Sequence, residues 1–212
     1  KTGTDGFKKS FRDEQLVAEY AVVDPGLLAS CPAHVIAANG MDALTQLLES
    51  FVSLRANAFT DALSVSGLHA VRDGLLPWYQ NPEEETATAR SCMAYAALLS
   101  GVVCGTLVST CTAVNIEALK ARAPDSVSLA KYAEVAGILC NRSFANHEAA
   151  REALVKLLAE WTVLLELPRL GSYGLDKSGL DHVVAHSRGS SMKTNPIVLT
   201  DNEIKACLQE RL

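Results

Sequence analysis

The sequence contains no long run of Lys or Arg, and aromatic side chains make up only 6% of its 212 residues at a formal net charge of −5. Nucleic-acid binders need a basic stripe to displace counterions, and base-stacking platforms need exposed rings. Neither class is expected. There is no C-x-x-C pair among the six cysteines, Cys31, Cys92, Cys104, Cys111, Cys140 and Cys207. Four of them fall in apolar helical stretches, where Cys packs as a small hydrophobe. The chain is also too large to need a disulfide scaffold, so reduced thiols in a cytoplasmic protein are expected. A zinc site would want closer cysteine spacing. No basic segment followed by an apolar stretch opens the sequence, so no secretory leader is expected within it. No low-complexity tract and no internal repeat is present.

Charge is missing altogether from Ser91 to Ile116. A membrane span takes about 20 apolar residues, so the length suffices. The segment is rich in Ser, Thr, Cys, Gly and Ala and poor in Leu, Ile and Phe, which insert well; no membrane span is expected.

What is present is globular: 49% hydrophobic and 20% charged residues, enough to bury a sizeable core. Phe7–Phe11 and Tyr20–Asp24 read as short strands, followed by a Pro25-Gly26 turn. Two strands alone make no stable sheet, so their partners are expected elsewhere. From Pro32 onward the apolar spacing is helical. One helix is expected to about Val52 with Gly40 interrupting it. A second runs from Thr60 as N-cap to Leu76, stopped by Pro77. The next starts at Asn81–Glu85 and runs toward Gly101. Others follow from Val103 to Lys120, from a Pro124-Asp125 cap to Leu139, and from an Asn146 cap to Leu167. A short helix ends at His186, and Thr200 with Glu203 forms a capping box for the last. The fold class expected is all-α, a bundle of about eight helices with short N-terminal strands.

Within Asn39–Glu49, Asp42 and Gln46 are four apart and share one helix face, with Glu49 nearly on it. A carboxylate in an apolar helix wants a cation, a metal or a capping role. By pattern alone Asp42 reads first as a cap of the helix restarting after Gly40.

Val23-Asp24-Pro25-Gly26-Leu27-Leu28, Cys31-Pro32 and Gly40-Met41-Asp42-Ala43-Leu44-Thr45, with Glu49 and Phe51, resemble the iron-containing (group III) alcohol dehydrogenase family. The resemblance continues through Asn57-Ala58-Phe59-Thr60-Asp61-Ala62-Leu63, Asn115, Lys131–Ala136 and Asn195–Thr200. It implies the family's C-terminal, dehydroquinate synthase-like helical domain over residues 31–212. Residues 1–30 would then be the linker and strands of an absent N-terminal nucleotide-binding domain, and the orphan strands find their sheet there. It further implies an NAD(P)-dependent, metal-dependent alcohol or carbonyl oxidoreductase using Fe²⁺ or Zn²⁺, often a homo-oligomer. The metal polarises the substrate oxygen and the nicotinamide exchanges the hydride.

The implied ligands are Asp42 and, where the family has histidine, Gln46, whose neutral amide is a poor ligand for those ions. Two further ligand histidines should follow the Ser91–Gly101 segment, yet Gly101 is followed directly by Val102-Val103-Cys104-Gly105. A missing loop is expected between 101 and 102. A true deletion would instead fuse the flanking helices into one of about 57 Å, longer than a small domain is wide. The five histidines, His34, His69, His147, His182 and His186, match none of the ligands. His182 and His186 have the i, i+4 spacing that can hold a metal, but without a third ligand they read as solvent-facing. This chain by itself is therefore expected to be inactive, with no bound cofactor and no assignable catalytic residue. The alternatives are a metal-independent relative like maleylacetate reductase, which Gln46 would suit, and a non-enzymatic helical scaffold or degenerate relative.

Overall fold

The computed structural model describes residues 20–82, 87–103, 112–188 and 191–212. All regular structure among them is helical: α1 Ala33–Val52, α2 Ala58–Gln80, α3 Ala87–Val103, α4 Thr112–Arg122, α5 Val127–Cys140, α6 His147–Leu164, α7 Leu180–His186 and α8 Asp201–Glu210. The all-α expectation holds for these residues. The strand expected at Tyr20–Asp24 does not: the segment belongs to no strand, because no chain lies beside it to complete a ladder among the described residues. Phe7–Phe11 lies outside the described residues, as do Cys104, Cys111 and much of the Asn81–Glu85 helix start.

Local chemistry explains several boundaries. Asp24 accepts a hydrogen bond from the Gly26 amide at 2.8 Å and opens a 3-10 turn over Pro25–Leu28, so the Asp-Pro-Gly-Leu motif is a turn device. The cap of α2 is Asn57, not Thr60; Thr60 is the third helical residue of a capping box and receives the Asn57 amide in return. Pro77 does not stop α2, which continues to Gln80, because a proline in the last turn forfeits a single backbone bond. Asn146 caps α6 and Thr200 with Glu203 caps α8 as the spacing predicts, whereas α5 is capped not at Pro124-Asp125 but by Ser126, whose hydroxyl accepts from the Ser128 amide.

Gly40 does not interrupt α1 either. It sits where α1 crosses α2, and a Cβ there would stand 2.2 Å from the Leu75 side chain. Gly74 plays the same part between α2 and α3, where a Cβ would lie 2.8 Å from the Ala89 carbonyl oxygen. Both are helical glycines used for close helix approach, at a modest propensity cost.

The main core is built from α1 to α6 around Leu47, Leu68, Leu75, Leu119, Tyr132 and Leu154, all buried. The C-terminal end of α1 has carbonyls with no helical partner. Helix α5 supplies donors for them: Ser128 Oγ donates to the Val52 carbonyl at 3.1 Å and Lys131 Nζ to the Phe51 carbonyl at 2.7 Å. Lys131 also donates to both oxygens of Asp61, in the first turn of α2, at 2.8 Å, and stands 4.7 Å from the Phe51 ring centroid. One cation thus serves the negative end of one helix dipole, a carboxylate and an aromatic face.

A smaller core of Ala118, Val184, Leu199 and Ile204 holds α7 and α8 against α4. Exposed ion pairs frame it, Arg122–Glu203, Arg188–Asp201 and Lys205–Asp181. A buried polar lock ties it in. Asn115, 1% exposed, donates to Asn195 Oδ1 at 3.0 Å and accepts from Asn195 Nδ2 at 2.8 Å, and Asn115 also reaches Tyr132 Oη at 3.3 Å. Helix α3 runs unbroken through Gly101 and Val102 to Val103. No helix among the described residues is long and apolar enough to cross a membrane.

Replacing Lys131 by Met should leave the Phe51 carbonyl and Asp61 without their donor, costing about 1–3 kcal/mol. Urea unfolding of K131M, D61N and the double variant checks this, with a coupling energy clearly above zero expected from the cycle. Acid acts on a second junction. Glu148 lies below the ordinary carboxylate value of 4.5 because Lys120 and then Arg151 hydrogen-bond it. A depressed carboxyl stabilises the folded chain fully above its ordinary value, and that contribution fades as pH falls through the lowered one. Glu148→Gln should therefore flatten the stability profile below about pH 5, measured by denaturant midpoints across pH.

Candidate metal centre

Helix α1 is amphipathic: Ile36, Ala37, Gly40, Ala43, Leu44, Leu47 and Leu48 turn inward, and the opposite stripe carries Asn39, Asp42 and Gln46. Asp42 is exposed and Gln46 half-buried one turn later. The structure brings these two expected residues together, with Gln46 Nε2 donating to Asp42 Oδ2 at 2.8 Å. The amide therefore presents its nitrogen, not an oxygen, toward the carboxylate. Asp42 is no helix cap, since α1 passes through it without a break.

No other ligand among the described residues converges on this pair. Among the described residues no three His, Cys, Asp or Glu side chains gather closely enough to hold an ion. All five histidines are exposed. His34 opens α1 eight residues before Asp42, about 12 Å along the axis. Fe²⁺ and Zn²⁺ sites use three or four imidazole, thiolate or carboxylate ligands. One carboxylate bonded to one amide does not fit such an ion.

Cys31, Cys92 and Cys140 are free and half-buried, and burial pushes each thiol above its ordinary value. They are weak nucleophiles and weak ligands, in keeping with a packing role. An open groove of about 1070 Å³ runs between α2, α5 and the α5–α6 turn, lined by His69, Arg72, Glu134, Arg142, Phe144 and His147. Asp73 grips Arg72 at 2.6 and 2.8 Å, so much of the groove's positive charge is already paired. Sequence reading misses this groove because its walls come from elements some 70 residues apart, with no local pattern.

Residues 36–113 match the model of the Fe-containing alcohol dehydrogenase family, C-terminal. Over this stretch the chain is similar to the iron-containing alcohol dehydrogenases. It is 29% identical to "Alcohol dehydrogenase 4" of Schizosaccharomyces pombe over 231 positions, which take in 99% of this chain and 53% of that enzyme. It is 27% identical to the "NADPH-dependent butanol dehydrogenase" of Clostridium saccharobutylicum over 222 positions, 93% of this chain and 56% of that one. Its fold is that of a solved 1,3-propanediol oxidoreductase, with a TM-score of 0.72 at 21% identity over 89% of this chain and 55% of that chain. The chain spans about half the length of these two curated relatives. The alignment with the fission yeast enzyme is longer than the whole 212-residue chain, so at least 19 of its 231 positions fall opposite no residue here.

Because Asp42 stands without convergent ligands, Asp42→Asn should leave the Fe and Zn content of the purified chain unchanged. Elemental analysis of both proteins checks it, and stability should shift by no more than about 0.5 kcal/mol, as for exposed positions generally.

Proposed function

We propose that residues 31–212 are the substrate-side helical domain, dehydroquinate synthase-like in type, of an NAD(P)-dependent alcohol or carbonyl oxidoreductase. Residues 1–30 lead to a nucleotide-binding domain of the parent protein, which works as a cytoplasmic homo-oligomer. The observation that carries this reading is the position of Asp42. It is solvent-facing in the middle of α1, on a helix whose frame is built from the other motif residues, Phe51, Asp61 and Lys131. When bound, the nicotinamide accepts or gives the hydride, which is the cofactor's chemistry and not this chain's. The chain's part is to present a rigid acidic face to the cleft.

The metal of the parent protein needs donors that this chain does not bring to Asp42. We place them in a segment of the parent protein missing at the Gly101–Val102 junction, which α3 spans without a break in this chain. The surplus of aligned positions in the fission yeast relative supports this, as does the absence of any histidine between His69 and His147. Without that segment and without a nucleotide-binding domain, this chain is catalytically silent.

A second reading has one observation in its favour. Gln46, hydrogen-bonded to Asp42, stands where the resemblance gives a histidine ligand, which suits a metal-independent relative similar to maleylacetate reductase.

The test is to sequence the parent gene across the Gly101–Val102 codons and assay the full-length product with primary alcohols and NAD⁺ or NADP⁺. Turnover lost on chelation and restored by Fe²⁺ or Zn²⁺ is expected, with none from the 212-residue chain. Turnover that survives chelation selects the metal-independent reading. A full-length product that binds neither nucleotide overturns both, in favour of a scaffold.

A further inference from the structure

We infer that His182 and His186 form a two-histidine chelate for a borderline divalent cation of the Ni²⁺ and Cu²⁺ class, on a different element from Asp42 and independent of the function proposed above. Helix α7 buries Leu180 and, in the smaller core, Val184, which turns residues 182 and 186 outward; both histidines are exposed. Their spacing of four puts the side chains one above the other, and the two ring centroids lie 4.3 Å apart with a tilt of 35°. This closeness lets two imidazoles bind one ion from one face of a single turn.

The second observation concerns the proton on His186. Its Nδ1 lies 2.8 Å from the His182 carbonyl oxygen. A carbonyl oxygen only accepts, so Nδ1 carries the hydrogen and the lone pair of the neutral ring is at Nε2. Histidine ligands in metal sites are held in the same way, with the other ring nitrogen donating to a backbone carbonyl or a carboxylate. The ligand tautomer is thus in place before any ion arrives. The neighbouring Asp181 carboxylate is engaged by Lys205 at 2.6 Å, which keeps it from folding over the rings. Two protein nitrogens leave the remaining positions to water. That arrangement suits the water-tolerant octahedral or tetragonal geometries of Ni²⁺ and Cu²⁺ better than the closed tetrahedral site of structural Zn²⁺.

Calorimetric titration of the 212-residue chain with Ni²⁺ tests this. One Ni²⁺ per chain is expected, and His182→Gln and His186→Gln should each weaken binding roughly tenfold or more, as a chelate falls to a single imidazole. His34→Gln and His69→Gln should leave the affinity unchanged. Ni²⁺ should also raise the melting midpoint of the wild-type chain and not of the double variant, because an ion that binds only the folded state stabilises it. Paramagnetic broadening by Ni²⁺ confined to the ring signals of His182 and His186 would give the same answer with no substitution. Undiminished Ni²⁺ binding in the folded double variant, or broadening spread over other histidines, would overturn the inference.

Discussion

The fold turns on one ammonium group. Lys131 reaches from α5 to the last carbonyls of α1 and to Asp61 at the start of α2, and lies over the ring of Phe51. A helix that ends inside a bundle leaves acceptors that water cannot serve, and each unmet one costs free energy comparable to a lost hydrogen bond. Lys131 and Ser128 answer that demand for α1 and, in doing so, fix the angle at which three helices meet. The lysine is only 18% exposed and Asp61 27%. Removing one partner would therefore leave the other half-buried and uncompensated, a larger penalty than the pair's net contribution.

This junction also sets what the chain can do at its surface. With the C-terminal end of α1 anchored and its apolar stripe packed across Gly40 and Leu75, the opposite stripe must face outward with Asp42 on it. Among the described residues no full donor set gathers on it. Asp42 finds the amide of Gln46 rather than a ring of ligands. Packing and surface chemistry depend on different sides of the same helix.

The C-terminal elements are attached by other means. Four buried apolar residues are a small core, and the exposed ion pairs around it are each worth little in water. The paired amides of Asn115 and Asn195 matter more, since Asn115 is buried, Asn195 half-buried, and each satisfies the other. The Asn-Pro-Ile-Val-Leu-Thr segment is therefore a latch that brings α8 to α4.

Much of the fold was legible in the chain itself. Apolar periodicity and the Asn146 and Thr200 caps marked helices because those signals are local: a side chain within three residues satisfies the amide it caps. The Asp42–Gln46 pairing was legible for the same reason, as one turn of helix fixes it. At Gly40 the local preference was overruled by a neighbour far off in sequence, Leu75, whereas the errors at Thr60 and Pro77 were local: Asn57, three residues earlier, is the cap, and a proline in the last turn forfeits a single bond. What Phe51, Asp61, Asn115, Lys131 and Asn195 do was invisible locally. Each meets its partner across 70 to 80 residues, and only tertiary structure brings the donor to its acceptor. The same holds for the ligand set. Residue types showed that histidines were present, but whether they converge on Asp42 depends on helix directions, and in this fold all five face solvent on other surfaces or other turns.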